Sequence, residues 1–172
     1  MRVKNIVEED FVNYRKPCMF IGTPSCNFKC DKEAGCKVCQ NSLLAAAPVF
    51  DIDDDVILLR YCNNLITEAI CFGGLEPFDT FEELLNFIIE FRKISSDDII
   101  IYTGYYPEEI KDKLYTLIDE VNGNDVIIKF GRFIPNQKSH FDAILGIELS
   151  SPNQFATTLF AAVNDLVKED KI

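Results

Sequence analysis

Short apolar runs alternate with longer amphipathic ones along this chain. Pro17–Ile21 (PCMFI) is apolar and is bounded by Gly22 and Pro24, which predicts a first buried strand. Glu68–Phe72 (EAICF), Asp98–Tyr102 (DIIIY) and Asp125–Lys129 (DVIIK) predict three more. Between them, Phe81, Leu84, Leu85, Ile88, Ile89 and Phe91 recur at helical spacing within Thr80–Lys93, with Asp79 or Thr80 as cap. Pro107 opens a further helix (PEEIKDKLYTLIDEV) that Gly123 ends. Gln40–Ala47 has helical composition up to Pro48, and Asp51–Asp55 precedes apolar positions Val56, Leu58, Leu59 and Leu65 as a helix N-terminus would. From Gly131 the pattern loosens. Pro152–Lys168 then carries Phe155, Leu159, Phe160, Val163, Leu166 and Val167 on one face, predicting a terminal helix capped by Ser151. Residues 1–16 show no clear period.

Alternating short apolar strands and helices mean a parallel sheet with right-handed crossovers. About four to six strands are too few for the eight-stranded barrel, which takes roughly 250 residues. At 172 residues the chain is expected to form a single domain, 1–172, with a loop at 25–41. Ligands of such sheets sit at the carboxyl ends of the strands. Three segments follow strands directly and should share that edge: the loop after Ile21, GGLEPF (Gly73–Phe78) and Thr103–Gly104.

Composition narrows the function. No apolar run reaches the ~18 residues of a membrane span. Glu8, Glu9 and Asp10 stand where a signal peptide would need its apolar stretch, so a cytoplasmic protein is expected. A net charge of −11, with no dense cluster among 17 Lys and Arg residues, argues against nucleic acid as a partner.

The chemistry lies in Ser25–Asn41, SCNFKCDKEAGCKVCQN, which sets Cys26, Cys30, Cys36 and Cys39 within fourteen residues. In a reducing compartment such density points to a metal or an iron–sulfur cluster rather than disulfides. Zinc knuckles usually stand ~12 or more residues apart, whereas only five residues separate Cys30 from Cys36. A [4Fe–4S] cluster, whose irons occupy separate corners, takes thiolates from one loop more readily. Cys18, Cys62 and Cys71 lie in or beside apolar segments and read as small core residues.

Without the six residues Asp31–Cys36, the loop reads CNFKCKVCQN, a C-x3-C-x2-C pattern. It resembles the signature of the radical S-adenosylmethionine enzymes, and of the short activating proteins of anaerobic ribonucleotide reductase in particular. GGLEPF is similar to the family's glycine-glycine-glutamate-proline motif, with Leu75 as an extra residue. IIIYTGY (Ile99–Tyr105), DVIIKFGRFIP and SSPNQ resemble later segments in the same order, so that the likeness runs from Pro17 to about Gln154. The resemblance implies an incomplete parallel (β/α) barrel and a [4Fe–4S] cluster on Cys26, Cys30 and Cys39, with Cys36 on an insertion. Sets using Cys30, Cys36 and Cys39, or all four, remain open. It further implies S-adenosylmethionine bound near Gly73, Gly74, Glu76, Val38, Thr103 and Asn153, with Glu76 for the ammonium. The implied activity is that of an oxidoreductase making a glycyl radical on anaerobic ribonucleotide reductase, fed by a small one-electron donor such as flavodoxin. With so short a chain, the partner or a homodimer would cover the reactive edge. The alternatives are a radical enzyme for another protein or small molecule, and a non-catalytic iron–sulfur or zinc module.

Overall fold

The computed structural model describes residues 1–121 and 123–170. Two strands open the chain, β1 (Arg2–Val3) and β2 (Asn5–Asp10), followed by β3 (Cys18–Gly22). The cysteine loop contains α1 (Lys29–Ala34) and leads to α2 (Ser42–Ala46), β4 (Phe50–Asp51) and α3 (Asp54–Asn63). Then come β5 (Ala69–Gly73), α4 (Phe81–Arg92), β6 (Asp98–Tyr102), α5 (Lys111–Glu120) and β7 (Val126–Phe130). A hairpin of β8 (His140–Asp142) and β9 (Ile147–Leu149), the strand β10 (Phe155–Thr158) and α6 (Leu159–Glu169) complete the fold.

One six-stranded sheet in the order β10-β7-β6-β5-β3-β2 organises these elements. Its four inner strands are parallel, as the apolar runs predict, while β2 and β10 pair antiparallel at the two edges. Alternation along β5 sorts side chains by size. Ile70 and Phe72 enter the large core beneath the helices, with Phe78, Phe87, Phe91 and Phe130. Ala69 and Cys71 turn to the other face, where Cys18, Ile100, Tyr14, Leu145 and Leu149 form a thinner layer under the hairpin. Cys18 and Cys71 thus pack as small apolar residues, both fully buried. Cys62 does not: it is exposed, because α3 turns Ile57, Leu58 and Tyr61 inward instead. For the same reason only Leu58 of the expected apolar positions there is buried, and Leu65 lies beyond the helix end.

The expected terminal helix over Pro152–Lys168 is corrected. Phe155–Thr158 pairs with Ile127–Phe130 as an edge strand, and the helix starts at Leu159. Its cap is Thr158, whose hydroxyl accepts from the Ala161 amide at 3.1 Å. Ser151 instead accepts from the Ile134 amide at 3.4 Å. Among the described residues no helix is long and apolar enough to cross a membrane.

Because the inner strands are parallel, Gly22, Gly73, Tyr102 and Phe130 all end at one edge of the sheet. The segments that follow them meet there.

Candidate metal centre

The cysteine loop is shaped by polar ties, since neither α1 nor α2 buries a residue. Its entry is pinned by the Asn27 amide, which donates to Asp79 Oδ2 at 2.7 Å, and by Tyr105, whose hydroxyl donates to Asp79 Oδ1 at 2.6 Å. Phe28 sits in the left-handed region (φ 55°) and turns the chain into α1, and its amide donates to Cys26 Sγ at 3.2 Å. Gly35, also left-handed, ends α1. The loop then folds back on Asp31, whose Oδ1 accepts the amides of Val38 and Cys39 at 2.8 and 2.9 Å. That clasp closes the six-residue insertion on itself. Cys26, Cys30 and Cys39 line one cavity of about 430 Å³, and the exposed Cys36 is not among its lining residues.

Glu76, 6 % exposed, stands in the wall of the same cavity. Gly74, at φ +77°, makes the turn that delivers it. Its Oε1 accepts from the Phe78 amide at 3.1 Å and the Thr103 hydroxyl at 2.7 Å, and Oε2 accepts from the Gly104 amide at 2.8 Å. A carboxylate has about four acceptor sites, so one is left for a ligand. Burial raises the Glu76 carboxyl to about 7, against the three hydrogen bonds that lower it. Burial likewise pushes the Cys26 thiol up to about 12 and the Cys30 thiol upward, so these sulfurs hold their protons until a metal displaces them.

Gly74, Glu76 and Thr103 line the cavity with the three thiols, whereas Gly73, Val38 and Asn153 do not. Val38 serves the Asp31 clasp through its backbone. Asn153 Nδ2 donates to Tyr106 Oη at 3.0 Å and to the Arg132 carbonyl at 2.8 Å, tying two loops together behind the cavity.

Gly104, expected at this edge with Thr103, lines the cavity, as does Gln154 of the SSPNQ segment, whereas Lys129 is a lining residue that sequence reasoning missed. Gln154 Oε1 takes the Ser150 and Ser151 amides at 3.0 and 3.3 Å, which shapes the wall beside the hairpin. Arg132 was missed as well. It forks onto Glu109 at 2.6 and 2.7 Å, donates to the Gly104 carbonyl at 2.8 Å, and pairs with Glu33 of α1 at 2.8 Å. Hydrogen bonds from Arg132 hold Glu109 down at about 2, and Lys29 adds a second pair to it at 2.7 Å. Only the bare dipeptide Gly131-Arg132 after a strand marks this in the sequence.

A family model described as a 4Fe-4S single cluster domain matches residues 17–154. The chain belongs to the 4Fe-4S single cluster domain family. No curated protein and no solved structure matches it. The residues present suit the family's iron–sulfur cluster. Three thiols face one cavity from separate points of a single loop. A four-iron cluster accepts thiolates from closely spaced positions of one loop, which is how Cys26, Cys30 and Cys39 are presented to the cavity. The wall is also cut back for close approach: a Cβ on Gly104 would stand 4.0 Å from Cys30 Sγ and 3.6 Å from Glu76 Oε2. In this single-cluster family member, then, Cys26, Cys30 and Cys39 are the side chains that could hold the cluster.

Proposed function

We propose that this chain is a radical S-adenosylmethionine enzyme that activates a protein substrate by making a glycyl radical on it, with anaerobic ribonucleotide reductase as that substrate. One observation carries the reading: three thiols and a buried carboxylate with one free acceptor site line the same cavity. Three thiol ligands leave one iron of a four-iron cluster open to a ligand. When bound, such a cluster supplies one-electron reductive cleavage of a sulfonium.

The chain's own residues do the rest. Glu76 accepts the ammonium of the methionine part, on the acceptor site that Thr103, Gly104 and Phe78 leave free. Thr103 keeps the carboxylate aimed by donating to it from within the wall. Gly74 and Gly104 let the ligand come close to the backbone. On this reading the parallel strands form an incomplete (β/α) barrel. Its open edge is covered by the partner protein, which excludes water while the hydrogen is removed from a glycine Cα. A small one-electron donor of the flavodoxin type supplies the electron.

Anaerobic reconstitution tests this. Four irons and four sulfides per chain are expected, with an EPR change on adding S-adenosylmethionine and a glycine-centred signal when the reductase and a reductant are present. Cys36→Ala should keep the iron, while alanine at Cys26, Cys30 or Cys39 should lose it. Iron loss in Cys36→Ala, or a cluster indifferent to S-adenosylmethionine, would overturn the assignment. A full response to S-adenosylmethionine without a glycyl radical on the reductase would move the enzyme to another substrate.

A further inference from the structure

Lys129 is hidden in an apolar strand. Along β7, Val126, Ile128 and Phe130 enter the core beneath the helices, which turns Ile127 and Lys129 to the opposite face. There the Lys129 side chain is buried, 7 % exposed, in the wall of the cavity that the three thiols line. Its Nζ donates to the Gly131 carbonyl at 2.8 Å. Among the described residues it forms no ion pair with a carboxylate.

Buried cations without a counter-ion are costly. The other buried basic groups among the described residues are accounted for. Lys4 donates to the Ala45 and Ala47 carbonyls at the end of α2. Arg132 is matched by Glu109 and Glu33. Lys129 is also the sole Lys, Arg or His among the residues lining the cavity, where Glu76 and Glu148 are the acids. One positive charge without an ion-pair partner therefore lines the cavity where an anionic cluster would sit.

We propose that the Lys129 ammonium is the buried counter-charge of the iron–sulfur cluster and raises its reduction potential. One-electron reduction adds a unit of negative charge to a cluster that three thiolates already make anionic. The chain works against that step, with a net charge of −11 and two further acids in the cavity. A fixed positive charge in the low-dielectric wall of the same cavity favours the reduced form. The inference rests on the assignment of the cluster to Cys26, Cys30 and Cys39.

Potentiometric titration followed by EPR, on reconstituted protein with dithionite as reductant and no other ligand added, tests it. Lys129→Gln keeps a donor for the Gly131 carbonyl and removes the charge, and Lys129→Met removes both. Lys129→Arg keeps the charge. Both neutral variants should hold wild-type iron and show a more negative midpoint, and the arginine variant should return close to wild type. Where Lys129→Met takes up no iron, Lys129→Gln decides. A wild-type midpoint in Lys129→Gln overturns the inference, and so does an equal fall in Lys129→Arg, which would make the effect one of packing rather than charge. Wild-type protein that takes up no four-iron cluster would instead refute the cluster assignment, and the inference with it.

Discussion

Glu76 is a carboxylate placed where a charge is costly, and its pH behaviour follows from that. Desolvation outweighs three hydrogen bonds and lifts it from 4.5 to about 7 in the cluster-free chain. A raised carboxyl favours the protonated form in the fold. The stability it contributes is complete below its ordinary value and is lost as pH rises through about 7. The apo chain should therefore show a falling unfolding midpoint between about pH 5 and pH 8. Glu109, held at about 2, titrates well below that window and does not confuse it. Glu76→Gln, which cannot titrate, should flatten the decline, as read by thermal unfolding at a series of pH values. Parallel profiles for the two proteins would mean that burial does not dominate at this carboxylate. In the loaded protein an ammonium on the free acceptor site would favour the charged form and reverse the trend.

At the scale of elements, the inner strands were the most legible part of the chain. The expected strands at 17–21, 68–72, 98–102 and 125–129 fall within a residue of β3, β5, β6 and β7, because strands buried on both faces are continuous apolar runs. Edges gave no such signal. β2 (NIVEED) is mostly exposed and charged, and the hairpin of β8 and β9 hangs on Asp142, whose carboxylate takes the amides of Ile144, Leu145 and Ala156. β10 is four residues long, too short for a period to show, and Phe155 fits a helical stripe equally well. Lys129 escaped notice for a related reason: one lysine in an apolar strand reads as a strand end, and only the fold shows it facing a cavity. The cluster loop was legible in its cysteines but not in what shapes it. Asp31 is the decisive residue, since its two backbone bonds bring Cys39 back and leave Cys36 outside. Each charge-assisted bond of this kind contributes about 1.5–3 kcal/mol when shielded from water, and less at this half-exposed site. Asp31→Ala should accelerate amide exchange across residues 37–41 by about tenfold, the equivalent of about 1.4 kcal/mol, and shorten cluster retention under a chelator. Asp31→Asn keeps an acceptor oxygen and should fall between. Exchange across β6 serves as control; acceleration there too would show general unfolding rather than a released clasp.

The whole molecule is stabilised unevenly, and the cluster should matter at only one end of it. The sheet and α3–α6 share a continuous apolar core, which stabilises them by area removed from water. The loop at 25–41 has no such share. Besides the Asp31 clasp, it is held by Lys29 on Glu109 and by Glu33 on Arg132. The loop's own side of each pair, Lys29 and Glu33, is exposed, and pairs with an exposed partner contribute only about 0–1 kcal/mol each. Metal ligation acts only on the state that presents the ligands, so its free energy goes to ordering this loop. Removing the cluster should therefore leave the sheet folded and free the loop. Trypsin is a direct probe, because Lys29, Lys32 and Lys37 all lie in the loop and the last two belong to its exposed part. In the apo chain cleavage should begin at Lys32 or Lys37 and leave a large fragment from Val38 onward intact. With the cluster bound those cuts should slow by about tenfold or more, since a binding free energy of about 1.4 kcal/mol already gives that factor. Far-ultraviolet circular dichroism should barely change between the two states. Equal cleavage of both forms would mean that the polar ties alone order the loop. Early cuts within β5–β7 of the apo chain would mean that the cluster supports the sheet as well, so that loop and core unfold as one cooperative unit.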